Sequence, residues 1–445
     1  MADLFFSEAL LPDGWARNVR ISIADGRVAR IERDAAARPD DETHALGVPG
    51  LPNLHSHAFQ RGMAGLAEIR GPASDSFWTW RDRMYRFVGA MTPEDVEVLA
   101  AQAYVEMLET GFTRVAEFHY VHHDRDGTPY ANLAELGARI GAAARQTGIG
   151  LALLPVFYAH AGFGGRAPEP AQRRFVNDID QYGRLVEACR AALRGDPGAT
   201  VGIAPHSLRA ATPDELAALL PLAQGQPIHI HIAEQTREVD DCLAWSGQRP
   251  VEWLLDHAPV DGGWCLVHAT HMTLDETRRM AASGAVAGLC PITEANLGDG
   301  TFDAVRFVAA GGVYGVGSDS NVQIGAADEL RQLEYSQRLA LRARNVMAMG
   351  EGGSTGRALF DGALAGGAQA TGLTAGIVEG GSADLVSLAR DHVAFAGRTG
   401  DALLDAWIFA GGRGLVDCVW MRGGKVVEHG RHRDADAIAR RFRRT

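Results

Sequence analysis

Eight short β-like runs, most of them separated by helical stretches, recur through the middle of the chain, at residues 48–55, 113–119, 150–158, 200–205, 227–232, 264–269, 285–289 and 312–317. Strands alternating with helices specify parallel β/α architecture, because a parallel neighbour can be reached only through a crossover long enough to hold a helix. The helical stretches carry start signals. Segment 92–109 opens on a capping threonine, with Pro93 in the first turn and Glu94-Asp95 beside the positive helix end. Segment 212–223 repeats the opening Thr-Pro-Asp-Glu. Eight strands suit a closed (β/α)8 TIM-like barrel; a doubly wound open sheet is the alternative. No GxGxxG follows the first run, so a dinucleotide-binding sheet loses support.

Both chain ends have another texture. Runs 19–23 and 27–31 flank Asp25-Gly26, which is hairpin chemistry. Near the other end, 383–388, 417–421 and 425–428 are short strands with Gly423-Gly424 as a turn. The two ends are expected to pair into one small β-sandwich domain, giving the division 1–48 and 376–445 around a barrel at 49–375. Two long connections stand out: the Gly- and Pro-rich stretch 161–170, expected over the barrel mouth, and the excursion from Arg61 to Tyr85, which holds Phe77, Trp78 and Trp80 and is expected to be a lid or an interface arm.

Bulk properties narrow the function. The chain has 445 residues, is 46% hydrophobic and carries a net charge of −12, a balance that argues against nucleic acid as a partner. No apolar run reaches the roughly 18–20 residues of a membrane helix, and no signal peptide is apparent. Five scattered cysteines without CxxC spacing suggest reduced thiols, and the expected location is the cytoplasm. Of 43 basic residues a single one, Lys425, is lysine.

The chemistry gathers at strand ends. In His55-Ser56-His57 the two imidazoles lie at i and i+2, on one side of a strand, and form a chelating pair for a borderline ion such as Zn2+. His231-Ile232-Ala233-Glu234 ends another strand, His268 ends a third, and Gly317-Ser318-Asp319-Ser320 ends the last with a carboxylate. Functional side chains of barrels collect at the C-terminal strand ends. Four such coincidences on four strands point to a metal site rather than to core histidines.

This order of HxH, HxxE, H and D resembles the amidohydrolase superfamily, whose fold is a (β/α)8 barrel of the metal-dependent hydrolase type. The likeness extends to the N-terminal strands and to Gly380-Gly381-Ser382-Ala383-Asp384-Leu385-Val386, and so spans nearly the whole chain. His231-x-x-Glu234 is similar to the deaminase branch that holds a single metal. Members with two ions bridge them through a carboxylated lysine on the fourth strand, and run 200–205 has none. The resemblance therefore implies one Zn2+ per chain on His55, His57, His231 and Asp319, although the same ligand set tolerates Fe2+. It implies that His268 polarises the attacking water, that Asp319 accepts its proton, and that Glu234 contacts the substrate nitrogen and helps protonate departing ammonia. His229, two residues before His231, reads as a packed histidine rather than a ligand.

The stretch His55 to Gly65, with Glu117-Phe118-His119-Tyr120 and Ala204-Pro205-His206-Ser207-Leu208-Arg209, is more similar to the N-formimidoyl-L-glutamate deiminase branch than to nucleobase deaminases. That likeness implies substrate contacts from Gln60, Arg81, Tyr120, His206 and Arg209, with Arg83 and Arg86 as neighbours of Arg81 in sequence. It also implies a homodimer, a small dicarboxylate substrate and a place in histidine degradation. Arginine forks suit the two carboxylates of such a substrate. A purine or pyrimidine deaminase on the same scaffold is the alternative, favoured by the aromatic segment 77–80. A non-enzymatic scaffold protein is disfavoured by the complete set of ligands.

Overall fold

The computed structural model describes residues 3–71, 75–411 and 414–445; residues 72–74 of the Arg61 to Tyr85 excursion lie outside the described residues. Eight parallel barrel strands are present in chain order. The first four are Leu51–Ser56, Phe112–His119, Gly150–Phe157 and Ala199–Val201, the last continued by Ala204–Pro205. The second four are Ile228–Ile232, Trp264–His268, Val286–Leu289 and Val313–Val316. Each set of four forms one hydrogen-bonded arc. Several strands are buried at every position, as parallel strands covered by helices must be.

Two seams join the arcs. On one side Ile203 bridges Ile228, and on the other Ser56 bridges Asp319. At the second seam the His57 N–H donates to the Asp319 carbonyl and the Asp319 N–H donates to the His55 carbonyl, both at 2.9 Å. Gly317 permits that approach. A Cβ there would stand 2.7 Å from the backbone N and O of His55, so a side chain would force the two strands apart. Barrel closure thus brings the first HxH pair and the last strand's aspartate side by side.

The helix starts read from sequence are present. Thr92 caps Pro93–Glu109 through a reciprocal pair, its Oγ1 accepting the Asp95 N–H at 3.2 Å while Asp95 accepts the Thr92 N–H at 2.9 Å. Thr212 caps Pro213–Leu219, and the last turn, Leu220–Ala223, tightens to a 3-10 helix. Pro221 explains that, since it lacks the N–H that an α turn would use. None of the described helices is long and apolar enough to cross a membrane.

The chain ends build one eight-stranded mixed sheet. Leu385–Leu388 runs antiparallel to Glu42–Pro49, which runs parallel to Leu4–Leu11. The sheet curls so that its edge strand, Arg27–Glu32, returns to the segment before Leu385: the Val28 N–H donates to the Gly381 carbonyl at 3.0 Å. The curl encloses Leu4, Phe6, Val19, Ile21, Ile377 and Trp420. Asp25 and Gly26 both have positive φ, 50° and 74°, the type I′ pattern that matches strand twist. The C-terminal turn sits one residue earlier than expected, on Arg422-Gly423, with Gly424 already in its strand. Lys425 is in this sheet, its Nζ 2.9 Å from Glu42 and 2.7 Å from Glu428.

Candidate active site

At the C-terminal barrel end the Nε2 of His55 lies 3.2 Å from that of His57 and 3.0 Å from that of His231. The other ring nitrogens fix the tautomers. His57 Nδ1 donates to the Phe118 carbonyl at 2.9 Å and His231 Nδ1 to the His206 carbonyl at 3.1 Å. Both neutral rings therefore turn Nε2 lone pairs toward His55. Burial holds these imidazoles uncharged, His55 near a pKa of about 4, His57 near about 3 and His231 well below the ordinary value. With His55 in the matching tautomer, a cation among the three nitrogens would take up all three lone pairs. Three nitrogens at about 2.0–2.1 Å from one tetrahedral ion would be spaced by roughly 3.3 Å, close to what is seen.

Asp319 Oδ1 adds a carboxylate oxygen 3.6 Å from His55 Nε2 and 3.4 Å from His57 Nε2. Burial would raise its pKa, but the hydrogen bond with His55 and the charge of His268 hold it well below the usual carboxylate range. The donor set of three neutral imidazoles and one carboxylate, all buried, fits a divalent ion of the zinc type. Asn321 braces this floor, its Nδ2 within 3.1 Å of the His57 carbonyl and the Ser56 hydroxyl and 3.0 Å of the Asp319 carbonyl. His268, Ala269 and Asp319 have positive φ of 69°, 48° and 45°. Such strain in non-glycine residues marks strand ends bent to aim side chains.

His268 stands beside this cluster. Its Nε2 lies 3.7 Å from Glu234 Oε1 and 3.8 Å from Asp319 Oδ2, and its Nδ1 is 3.2 Å from Glu294 Oε1. Burial alone would lower the imidazole, but Glu234, Glu294 and Asp319 carry its pKa up to about 10. Glu234 is pushed up to about 7 by burial, against the lowering pull of His268 and Arg209. A carboxyl near neutrality beside an imidazole can both take and return a proton at physiological pH.

A cavity of about 610 Å3 opens above the cluster, within the size of small-molecule sites. His57, His231, Glu234, His268 and Asp319 line it, as do Gln60, Arg81, Tyr120, His206 and Arg209. His55 lies fully buried among the floor residues. Gln60 Nε2 donates to the Tyr120 hydroxyl at 2.9 Å, and Gln60 Oε1 has no hydrogen-bond partner among the described residues. Arg209 is partly buried, with Glu238 Oε1 3.9 Å from its Nε. The sequence left Arg83 and Arg86 as rivals of Arg81. Arg81 lines the cavity from the helix Phe77–Val88, whereas Arg83 turns away to the carbonyls of Leu66 and Ile69 and Arg86 is exposed. The loop 161–170 supplies Phe163, stacked at 5.5 Å on Trp245.

His229 is fully buried and its Nε2 donates to the Ala370 carbonyl at 2.7 Å, so it belongs to packing rather than to the cluster. Two residues beside the site were missed, Glu294 behind His268 and Arg237 on the cavity wall. Glu294 follows the seventh strand end, so its position alone was a signal. Arg237 lies in the first turn of the helix after His231 and lines the cavity; nothing in its local sequence sets it apart from other arginines.

The Amidohydrolase family matches residues 47–427, and the family described as formimidoylglutamate deiminase HutF, N-terminal domain, matches residues 1–45. The formimidoylglutamate deiminase of Pseudomonas aeruginosa is 53% identical over 445 aligned residues, covering 99% of this chain and 98% of that protein. A 5-methylthioadenosine/S-adenosylhomocysteine deaminase of Natronomonas pharaonis is 27% identical, with 88% of each chain covered. Among solved structures, an amidohydrolase from Brucella melitensis superposes with a TM-score of 0.97 at 60% identity, covering 100% of this chain and 98% of that one. An adenosine deaminase from Xanthomonas campestris with bound zinc superposes at 0.82 with 21% identity, covering 100% and 97%, and shows the fold alone.

Proposed function

The chain belongs to the amidohydrolase family, and from that premise we propose that it hydrolyses N-formimidoyl-L-glutamate to N-formyl-L-glutamate and ammonia, a step of histidine degradation. The observation that carries this is the meeting, in one cavity, of the histidine–aspartate cluster with Arg81 and Arg209. Two guanidiniums beside a metal site match a substrate with two carboxylates and a hydrolysable C=N bond. A nucleobase offers no carboxylate to either.

The ion would be one Zn2+ per chain, held by His55, His57, His231 and Asp319. Bound there, it supplies Lewis acidity that brings the pKa of water to about 7. Asp319, His268 and Glu234 handle the protons. Asp319 Oδ2, 3.8 Å from His268 Nε2, accepts a proton from the attacking water. His268 stabilises the negative charge that grows on the added oxygen. Glu234 hydrogen-bonds the formimidoyl nitrogen and favours the protonated, more electrophilic amidinium. Water adds to the carbon, the C–N bond to the terminal nitrogen breaks, and the proton taken from water leaves with ammonia. Arg81 and Arg209 take the carboxylates, while Gln60, Tyr120 and His206 orient the chain between. A cytoplasmic homodimer belongs to the same reading.

Ammonia release across N-formimidoyl-L-glutamate, guanine, adenosine and cytosine, with metal analysis of the same sample, tests this. Turnover confined to the first substrate with about one zinc per chain is expected. Turnover of a nucleobase in its place would overturn the assignment.

A further inference from the structure

Helix Thr236–Ser246 follows the strand that bears His231, with Glu234 in the connection between them. Along it Arg237, Asp241 and Trp245 recur every four residues, on one helical face, and all three line the cavity. The Arg237 guanidinium carbon lies 4.6 Å from the centroid of the Trp78 ring, and that of Arg81 lies 4.6 Å from the same ring. One indole thus gathers two cations at the mouth of the site.

Like charges brought onto one platform repel, and an anion between them removes the penalty. The structure supplies only part of that charge. Asp241 approaches Arg237 to 3.6 Å, a loose pair between half-exposed groups. Arg81 Nε is buried with no hydrogen-bond partner among the described residues. Arg209, deeper in the cavity, likewise has an Nε with no hydrogen-bond partner among the described residues, the Glu238 carboxylate standing 3.9 Å away. Its side chain is 14% exposed against 61% for Arg237, so the cations run from the rim inward.

We propose that Arg237 is a further specificity residue: with Arg81, on the Trp78 platform, it forms a second carboxylate subsite, while Arg209 takes the other carboxylate of the substrate. This rests on the dicarboxylate substrate proposed above. Asp241 competes for the same guanidinium and thereby weakens the subsite when it is empty.

Binding of glutarate and butyrate to the zinc-loaded protein, measured by calorimetry, tests the subsite without requiring turnover. Arg237→Gln should weaken glutarate about tenfold and butyrate less than about twofold, since one charge-assisted fork is lost to the second carboxylate alone. Arg237→Lys should recover part of the loss, keeping charge without the planar fork. Asp241→Asn should tighten glutarate by about threefold, a gain that a merely structural Arg237–Asp241 pair would not produce. Equal weakening of both acids by Arg237→Gln, or no tightening by Asp241→Asn, would overturn the subsite. Wild-type ammonia release from N-formimidoyl-L-glutamate is measured in parallel. If it occurs while the glutarate preference stays fixed in the variants, the subsite alone falls. If it is absent while the preference moves as stated, the substrate falls and the subsite stands.

Discussion

The Nε2 atoms of His55 and His231 face each other at 3.0 Å although 176 residues separate them in the chain. Since His231 has its Nδ1 proton engaged by the His206 carbonyl, its Nε2 can only offer a lone pair. The contact therefore holds a lone pair where a bound cation would take it up, and metal affinity and fold stability are linked through such binding.

Replacing His231 by Ala should lower bound zinc to below about 0.2 per chain and abolish ammonia release. Chelation of the wild-type protein should lower its Tm by several degrees, and added zinc should restore it. A chelated protein that melts unchanged would mean that the cluster binds no ion in the folded state.

Arg209→Ala should reduce kcat/KM for N-formimidoyl-L-glutamate by about 30- to 1000-fold, the range for losing a buried charge-assisted contact. Zinc content should stay near one per chain. Parallel loss of metal would assign Arg209 to the fold, through its neighbour Glu238.

His268→Asn should lower kcat by about 100- to 10,000-fold with substrate binding largely kept, as for a group that acts on the developing charge. Glu294→Ala should reproduce part of the kcat loss, because Glu294 Oε1 orients His268 through Nδ1 at 3.2 Å. Unchanged kcat in His268→Asn would remove that imidazole from the reaction.

Glu117 makes stability depend on pH. It is fully buried, accepts the Ala58 N–H at 2.7 Å and the Tyr104 hydroxyl at 3.2 Å, and burial pushes its carboxyl up to about 8. The folded chain holds this proton more tightly than the unfolded one. Its stabilising contribution is therefore complete below the ordinary value of 4.5 and is lost as pH rises through about 8. Glu117→Gln keeps an acceptor for Ala58 and should flatten the fall of Tm between about pH 5 and pH 8.5. An equally steep fall in the variant would place the titrating group elsewhere.

Much of this was legible in the sequence because it is local. The i, i+2 spacing of His55 and His57 sets both rings on one side of a strand whatever lies around it, and the eight-fold alternation of strand and helix leaves few other folds. The caps at Thr92 and Thr212 are equally local. The single lysine, held by Glu42 and Glu428 in the terminal sheet, bears on the metal count from composition alone.

Other assignments needed three dimensions. His229 and His231 share a strand face, and only the Ala370 carbonyl under one and the Nε2 of His55 beside the other tell them apart. Arg81 and Arg83 differ by two residues on one helix, and helical phase sends one to the cavity and the other to the Leu66 and Ile69 carbonyls. Glu294 and Arg237 acquire roles from what stands across the barrel mouth. Spacing along one element follows from bond geometry, which the sequence carries. Distances between elements follow from barrel closure and side-chain packing, such as the approach at Gly317 that sets Asp319 against His55, and those are settled only when the whole chain has folded.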